Sequence, residues 1–240
     1  MNLVLLFPED FIIHDSAAES VRLCGRRREH IQHVQRAQVG DQLIVGLVNG
    51  KVGRGTITVC NSDAIEMDVV LDKLPPRALP ITLIVALPRP KMLKRILQTI
   101  ATMGVKKLIL INSARVEKSY WQTPILQPDS ILEHLTLGLE QARDTAMPAV
   151  VIEKRFKPFV EDSLPALTES KLALVAHPGL GQALKTPNTT EEVVLAVGPE
   201  GGFVDYEVDK LLACGFQGIH LGHRILRVET AIPVLLAKLF

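Results

Sequence analysis

The last two thirds of the chain consist of short apolar runs separated by stretches with helical periodicity. A run in which every residue is apolar is typical of a strand buried on both faces, as in parallel sheets covered by helices. The pattern therefore predicts an α/β domain built on a parallel sheet. The runs are ITLIVALP, KKLILIN, AVVIEKRF, KLALVAHP, EVVLAVGP and GIHLG.

The first 72 residues show a different pattern, that of a small β-barrel. An Asn49-Gly50 turn lies between β-branched runs, which is a strong hairpin signal, and IEMDVV alternates with period two. Glycines 46, 53 and 55 interrupt the runs, as bulges or barrel corners do. Three prolines in residues 72–80 then predict a stiff linker. We expect a β-barrel over 1–72, a linker over 73–80 and the α/β domain over 81–240.

Composition and spacing exclude several classes of protein. The three cysteines lie far apart without a C-x-x-C pair, so neither a disulfide framework nor a zinc knuckle is expected. The amino-terminal segment has no basic region and only a short apolar run, which predicts a soluble cytoplasmic protein without a membrane span. His30 and His33 stand three apart, but no acid or cysteine follows in ligand spacing. We therefore expect no metal.

Basic residues are unevenly distributed, although the formal net charge is only +1. No acidic residue lies between Asp72 and Glu117, and that interval holds nine basic ones. A local patch of one sign attracts phosphate whatever the overall balance. A solvated helix face is the alternative interpretation, and the sequence leaves both open. A second basic cluster occupies residues 26–28.

Three glycine-containing segments follow predicted strands in the last third of the chain, at residues 175–182, 197–202 and 221–230. Ligands of open parallel sheets bind beyond the carboxyl ends of strands. Neither a dinucleotide fingerprint nor a phosphate loop is complete, because the required third glycine and the Gly-Lys-Ser/Thr sequence are missing. A tight turn without ligand would explain any one segment. Three of them at neighbouring strand ends favour a shared pocket.

The residues GPEGGF, LG-R-ILR-ETA and, more weakly, HIQHVQRAQVGDQL and EQARDTAMP resemble the RsmE family of SPOUT-class methyltransferases. The strong match covers about the last 45 residues. The resemblance implies an amino-terminal PUA-like barrel, a SPOUT domain with a trefoil knot, and a homodimer. It also implies S-adenosylmethionine as cofactor and a uridine of small-subunit (16S) ribosomal RNA, methylated at ring nitrogen 3, as substrate. A function in rRNA processing and ribosome biogenesis follows.

The resemblance also implies roles for particular residues. Methyl transfer from a sulfonium needs both partners held in line, in a slot where main chain can approach the cofactor. Arg227 would stabilise the anion that forms when the ring nitrogen loses its proton, with Glu229 accepting that proton or orienting Arg227, and Thr230 capping the last helix or bonding the substrate. Glu200 would bind the ribose or substrate, or accept N–H bonds from its own turn. Cofactor binding is expected from Val175, Ala176, Val197, Gly198, Glu200, Gly202, Leu221, Gly222, Ile225, Leu226 and Arg227. RNA binding is expected from Arg26, Arg27, Arg28, Arg36, Arg89, Lys91, Lys94 and Arg95.

The chain also departs from the family pattern. Thr99 and Thr102 replace charged residues, Arg143 falls one place early so that Asp144 occupies the usual arginine slot, and His223 stands where a proline or small residue is frequent. These departures concern the RNA footprint more than the cofactor loops. A ribose 2′-O methyltransferase and a non-catalytic RNA-binding protein therefore remain as alternatives.

Overall fold

The computed structural model describes residues 2–12, 19–184 and 191–240. The chain forms two compact units, one of Met1–Arg77 with Thr136–Met147 and one of Ala78–Leu135 with Pro148–Phe240. The spatial division thus differs from the sequence-based one, because a segment inside the expected α/β domain belongs to the first unit.

The first unit contains a six-stranded mixed sheet in the order β1-β4-β5-β6-β3-β2. Strands β1 and β4 are parallel, and the other pairs are antiparallel. Its strands are β1 (Val4–Leu6), β2 (Phe11–Ile12), β3 (Glu19–Leu23), β4 (Gln42–Leu47), β5 (Val52–Cys60) and β6 (Ile65–Lys73). A short helix α1 (Gly25–Glu29), continued by a π-helical segment over His30–Gln35, connects β3 to β4.

The predicted hairpin is confirmed between β4 and β5. Asn49 has φ +57, the left-handed conformation that this kind of turn favours. Gly53 lies at a register shift, where a Cβ would overlap the carbonyl of Val70 on β6. Alternate residues of the sheet enclose an apolar core that includes Val21, Ile57 and Met67.

The second unit contains a seven-stranded, wholly parallel sheet in the order β11-β13-β10-β12-β7-β8-β9. The predicted parallel α/β sheet is confirmed. Its strands are β7 (Ile81–Ala86), β8 (Lys107–Ile111), β9 (Ala149–Glu153), β10 (Leu172–Ala176), β11 (Gln182–Ala183), β12 (Val193–Val197) and β13 (Gln217–His220). The remaining helices are α2 (Pro90–Thr102), α3 (Pro128–Ala142), α4 (Phe156–Pro158), α5 (Leu164–Thr168), α6 (Asp205–Ala213) and α7 (Val228–Leu239).

Burial explains this topology. Every residue of β7 and of β12 is buried, as continuous apolar runs require. Helix α2 buries one apolar stripe, which includes Leu93, Ile96, Leu97 and Ile100. Pro233 lies inside α7, so the carbonyl of Glu229 lacks its usual i+4 donor.

Two expected absences can be compared with the described part of the chain. Within residues 2–12, 19–184 and 191–240, no helix is long and apolar enough to span a membrane. The same residues contain no group of three or more His, Cys, Asp or Glu side chains able to hold a metal ion.

Candidate active site

Three loops meet at the carboxyl edge of the parallel sheet because their strands are neighbours. The order β13-β10-β12 brings together the ends of exactly those strands that the glycine-containing segments follow. The loops enclose about 660 Å³ of empty space that is partly open to solvent. We call this space the loop pocket.

All but two of the predicted cofactor-binding residues line the loop pocket. They are Ala176, Val197, Gly198, Glu200, Gly202, Leu221, Gly222, Ile225 and Leu226. Val175 is fully buried within β10, and Arg227 lies at the start of α7 outside the pocket lining. The structure therefore brings one slot together from three separate segments.

Glycine is required where the main chain borders this slot. Gly202 has φ +75 and Gly222 has φ +102, a region that side chains of L-residues rarely adopt. The N–H of Gly202 donates to the carbonyl of Pro199 at 2.8 Å and closes a tight turn. A Cβ on Gly198 would lie 3.0 Å from the nitrogen of Phe203, so the loop is also closely packed upon itself.

The carboxylate of Glu200 is bonded to a segment that neither sequence-based interpretation included. Its Oε1 accepts the backbone N–H of Arg89 at 3.1 Å, from the loop that follows β7. The carboxylate thus receives an N–H bond from a neighbouring loop and not from its own turn, while the residue still lines the loop pocket.

Two residues that were not predicted, Glu207 and Arg115, connect the segment after β8 to the segment after β12. Glu207 is 3% exposed, and its carboxylate accepts the N–H of Ala114 at 2.6 Å and that of Val204 at 3.0 Å. The guanidinium of Arg115 donates to the carbonyl of Gly201. The end of β8 is thereby tied to the end of β12. A Glu three residues after a helix N-cap was the available signal for Glu207.

Glu207→Ala is expected to destabilise the second unit by about 3 kcal/mol, because two N–H groups lose a charged acceptor. Urea unfolding would measure the loss. Asp209→Ala, an exposed acidic residue of the same helix, is the control and should change stability by less than about 0.5 kcal/mol. Equal stability of the two variants would show that the hydrogen bonds of Glu207 do not stabilise the second unit.

Histidines at two strand ends also line the loop pocket and were not predicted. His177 places Nδ1 2.9 Å from the carbonyl of Pro178 and Nε2 3.4 Å from that of Phe203. The Nδ1 of His220 accepts the N–H of Gly222 at 3.1 Å. Both histidines directly follow an apolar run in the sequence, and that position at a strand end could have identified them.

The predicted catalytic residues do not line the loop pocket. Glu229 and Thr230 border a separate depression, together with Arg95, Thr99 and Thr102 of α2. Two of the positions that depart from the family pattern therefore lie beside them. Thr230 does not cap α7, since the N-cap is Arg227 and makes no side-chain cap bond.

Arg227 is exposed at the amino-terminal end of α7. Within the described residues no ion pair of 4.0 Å or less joins it to Glu229, so the expected orientation of Arg227 by Glu229 is not observed. Its carbonyl accepts the N–H groups of Thr230 and Ala231, the usual pattern at a helix start. Its guanidinium is exposed beside the positive end of the helix dipole.

The predicted RNA-binding arginines of the first unit are largely engaged within that unit. Arg27 pairs with both carboxylate oxygens of buried Asp10, at 2.7 Å to Oδ1, and also donates to the carbonyl of Leu5. Arg26 pairs with Glu140 at 3.0 Å and Arg28 with Glu29 at 3.6 Å. Arg36 is exposed with φ +55. The other four, Arg89, Lys91, Lys94 and Arg95, are exposed at the N-cap and on the first turns of α2.

The chain is similar to several known proteins over most of its length. A family model described as an RNA methyltransferase domain matches residues 75–239. The ribosomal RNA small subunit methyltransferase E of Treponema pallidum is 28% identical over 96% of this chain and 87% of its own length. The protein of the same name from Synechocystis is 30% identical over 92% of this chain and 72% of its own.

A crystal structure of ribosomal RNA small subunit methyltransferase E from Neisseria gonorrhoeae, bound to S-adenosyl methionine, superposes with a TM-score of 0.76. It is 23% identical and covers 99% of this chain and 95% of that one. At this identity the likeness shows a common fold.

Proposed function

The chain belongs to the RNA methyltransferase family, among the relatives named ribosomal RNA small subunit methyltransferase E, and on this premise we propose that it methylates small-subunit ribosomal RNA. The methyl donor is S-adenosylmethionine, and the acceptor is ring nitrogen 3 of a uridine. The observation that carries the proposal is the convergence of three glycine-containing loops on one pocket at neighbouring strand ends.

The loop pocket fits a neutral nucleoside that carries a sulfonium. Apolar side chains such as Leu221, Ile225 and Leu226 form its walls, and main chain is accessible at its glycines. A Cβ on Gly202 would point toward His177 and Arg115, at 3.6 and 3.9 Å, so a side chain there would narrow the space between them. When bound, S-adenosylmethionine supplies an electrophilic methyl group. Gly198, Gly202 and Gly222 would hold it through close main-chain contact.

The start of α7 would provide positive charge near the acceptor base. A uracil ring nitrogen must lose a weakly acidic proton, and the resulting anion needs a fixed positive partner. The Arg227 guanidinium and the helix amino terminus both supply positive potential there. Glu229 and Thr230 would contact substrate from the adjacent depression, with Glu229 as the proton acceptor.

The remaining features of the proposal come from the resemblance. They are a PUA-like first unit that binds RNA, a trefoil knot in the SPOUT domain and a homodimer. The cytoplasmic location that was expected from the sequence is also part of the proposal. Exposed cations on α2, Lys91, Lys94 and Arg95, support RNA binding by the second unit as well. Ile225 lines the loop pocket and is 80% exposed, so its side chain is accessible to a substrate or a partner.

Calorimetric titration followed by nucleoside mass spectrometry would test the proposed function. We expect tight binding of S-adenosylmethionine and the appearance of N3-methyluridine in 16S ribosomal RNA incubated with the protein. A 2′-O-methylated nucleoside would instead identify a ribose methyltransferase. Absence of cofactor binding would leave only a non-catalytic RNA-binding protein.

A further inference from the structure

The first unit has a groove lined by three basic side chains that no assigned role uses. Arg54, Lys73 and Arg143 line it together with a single acidic residue, Asp72. The apolar side chains of Ile44, Val52 and Val70 complete the lining, and the groove holds about 1,190 Å³ of empty space that includes open solvent. We call this feature the basic groove.

Strand register explains why these residues meet. Ile44, Arg54 and Val70 form a continuous row across β4, β5 and β6, so they share one face of the sheet. A register shift between Val52 and Gly53 then pairs Val52 with Lys73. This pairing places a second cation next to that row.

Among the described residues, the cations of the basic groove lack the carboxylate partners that Arg26 and Arg27 have. Arg26 and Arg27 are held by buried carboxylates. Arg54, Lys73 and Arg143 are all exposed, and none forms an ion pair of 4.0 Å or less with any described residue. Asp72 likewise forms no such ion pair with a described residue, so three basic side chains outnumber one acidic side chain in the groove.

Arg143 occupies a position where its side chain is conformationally unfavourable. It follows the last residue of α3 with φ +58, and the next N–H, that of Asp144, donates back to Leu139 at 3.1 Å. This is the left-handed helix ending at which glycine is usual. An arginine at such a site, with its side chain in the groove lining, points to a use for the side chain.

We propose that the basic groove binds the phosphate backbone of RNA and is the principal RNA-contacting surface of the first unit. This inference rests on the proposed function, which supplies the polyanion. Arginine forks bind phosphate oxygens bidentately and lysine binds them as a point charge. Val70, 68% exposed between them, offers an apolar surface for a ribose or base. The arginines of residues 26–28, by contrast, mainly serve the unit's own structure.

Binding of labelled 16S ribosomal RNA by the full chain, measured by fluorescence anisotropy over a series of salt concentrations, would test the inference. We expect Arg54→Gln, Lys73→Gln and Arg143→Gly each to weaken binding roughly fivefold near physiological salt. Each should also lower the slope of log K against log salt by about 0.7–0.9. Lys51→Gln, which removes an exposed cation outside the groove lining, is the control and should change neither quantity.

Two variants separate this role from a structural one. Asp72→Asn should tighten RNA binding severalfold, which a damaged fold could not do. Arg143→Gly should weaken binding while leaving the melting temperature equal or higher, because glycine relieves the left-handed strain.

The possible outcomes distinguish the two proposals. Unchanged RNA affinity in all three cation variants, with RNA still methylated by them, would overturn the inference that the basic groove binds RNA. The proposed function would be unaffected. A wild-type chain that neither binds nor methylates RNA would overturn both. Competition by polyglutamate as strong as that by RNA would show a general anion site and would also overturn the inference.

Discussion

Gly202→Val is expected to abolish S-adenosylmethionine binding while the chain still folds. A valine at φ +75 is strained by at least about 1–2 kcal/mol, and the backbone can relieve that strain only by rotating away from its present conformation. Such a rotation moves the main chain that borders the loop pocket. The strain itself is small beside a typical stability of about 5–15 kcal/mol. Calorimetry should show at least about a hundredfold loss of affinity, about 2.7 kcal/mol.

Gly215→Val is the matched control for this prediction. Gly215 has φ +86, a Cβ there would meet nothing within 4 Å, and it does not line the loop pocket. Both variants should therefore lose similar stability in a thermal melt, and only Gly202→Val should lose the cofactor. Wild-type affinity in Gly202→Val would show that the methyl donor binds elsewhere.

Arg227→Ala should retain cofactor binding and lose turnover by about 100- to 1,000-fold, the usual cost of removing a donor that stabilises a developing anion. The prediction follows from its position, because the side chain lies outside the lining of the loop pocket yet at the adjoining start of α7. Calorimetry with S-adenosylmethionine and single-turnover methylation of RNA would measure the two effects separately.

Lys238→Ala provides a control at the other end of the same helix, since Lys238 is an exposed cation in its last turn. Its turnover should equal that of the wild type. Arg227→Lys should recover part of the lost rate, because lysine restores the charge without the planar fork. Normal methylation by the alanine variant would remove Arg227 from the mechanism.

Fold class could be predicted because the signals are local. Apolar runs identified the parallel sheet, and Asn49-Gly50 identified the hairpin that joins β4 and β5. The division into units could not be read in the same way. Residues 136–142 are the end of a helix that begins in the second unit, and only contacts formed in three dimensions assign them, with residues 143–147, to the first unit.

The site was partly predictable for a similar reason. Strand ends and glycines mark the loops in sequence, and the order β13-β10-β12 made those loops neighbours. Hydrogen bonds and ion pairs between residues far apart in the chain have no such local sequence signal. The pairing of Arg27 with Asp10 and the bond from Ala114 to Glu207 join segments that have no sequence relation. The same limit explains why Arg54 and Arg143, 89 positions apart in the numbering, were not grouped.

The assignment of residues 136–147 to the first unit bears on any attempt to dissect the protein. Glu140 lies in that segment, 2% exposed, where it pairs with Arg26, and its carbonyl accepts the N–H groups of Asn2 and Leu3. A fragment ending at residue 77 would lose these anchors and expose the surfaces they cover. Neither unit is a contiguous stretch of chain, so a ribosome must synthesise well beyond the linker before the amino-terminal unit can complete its fold.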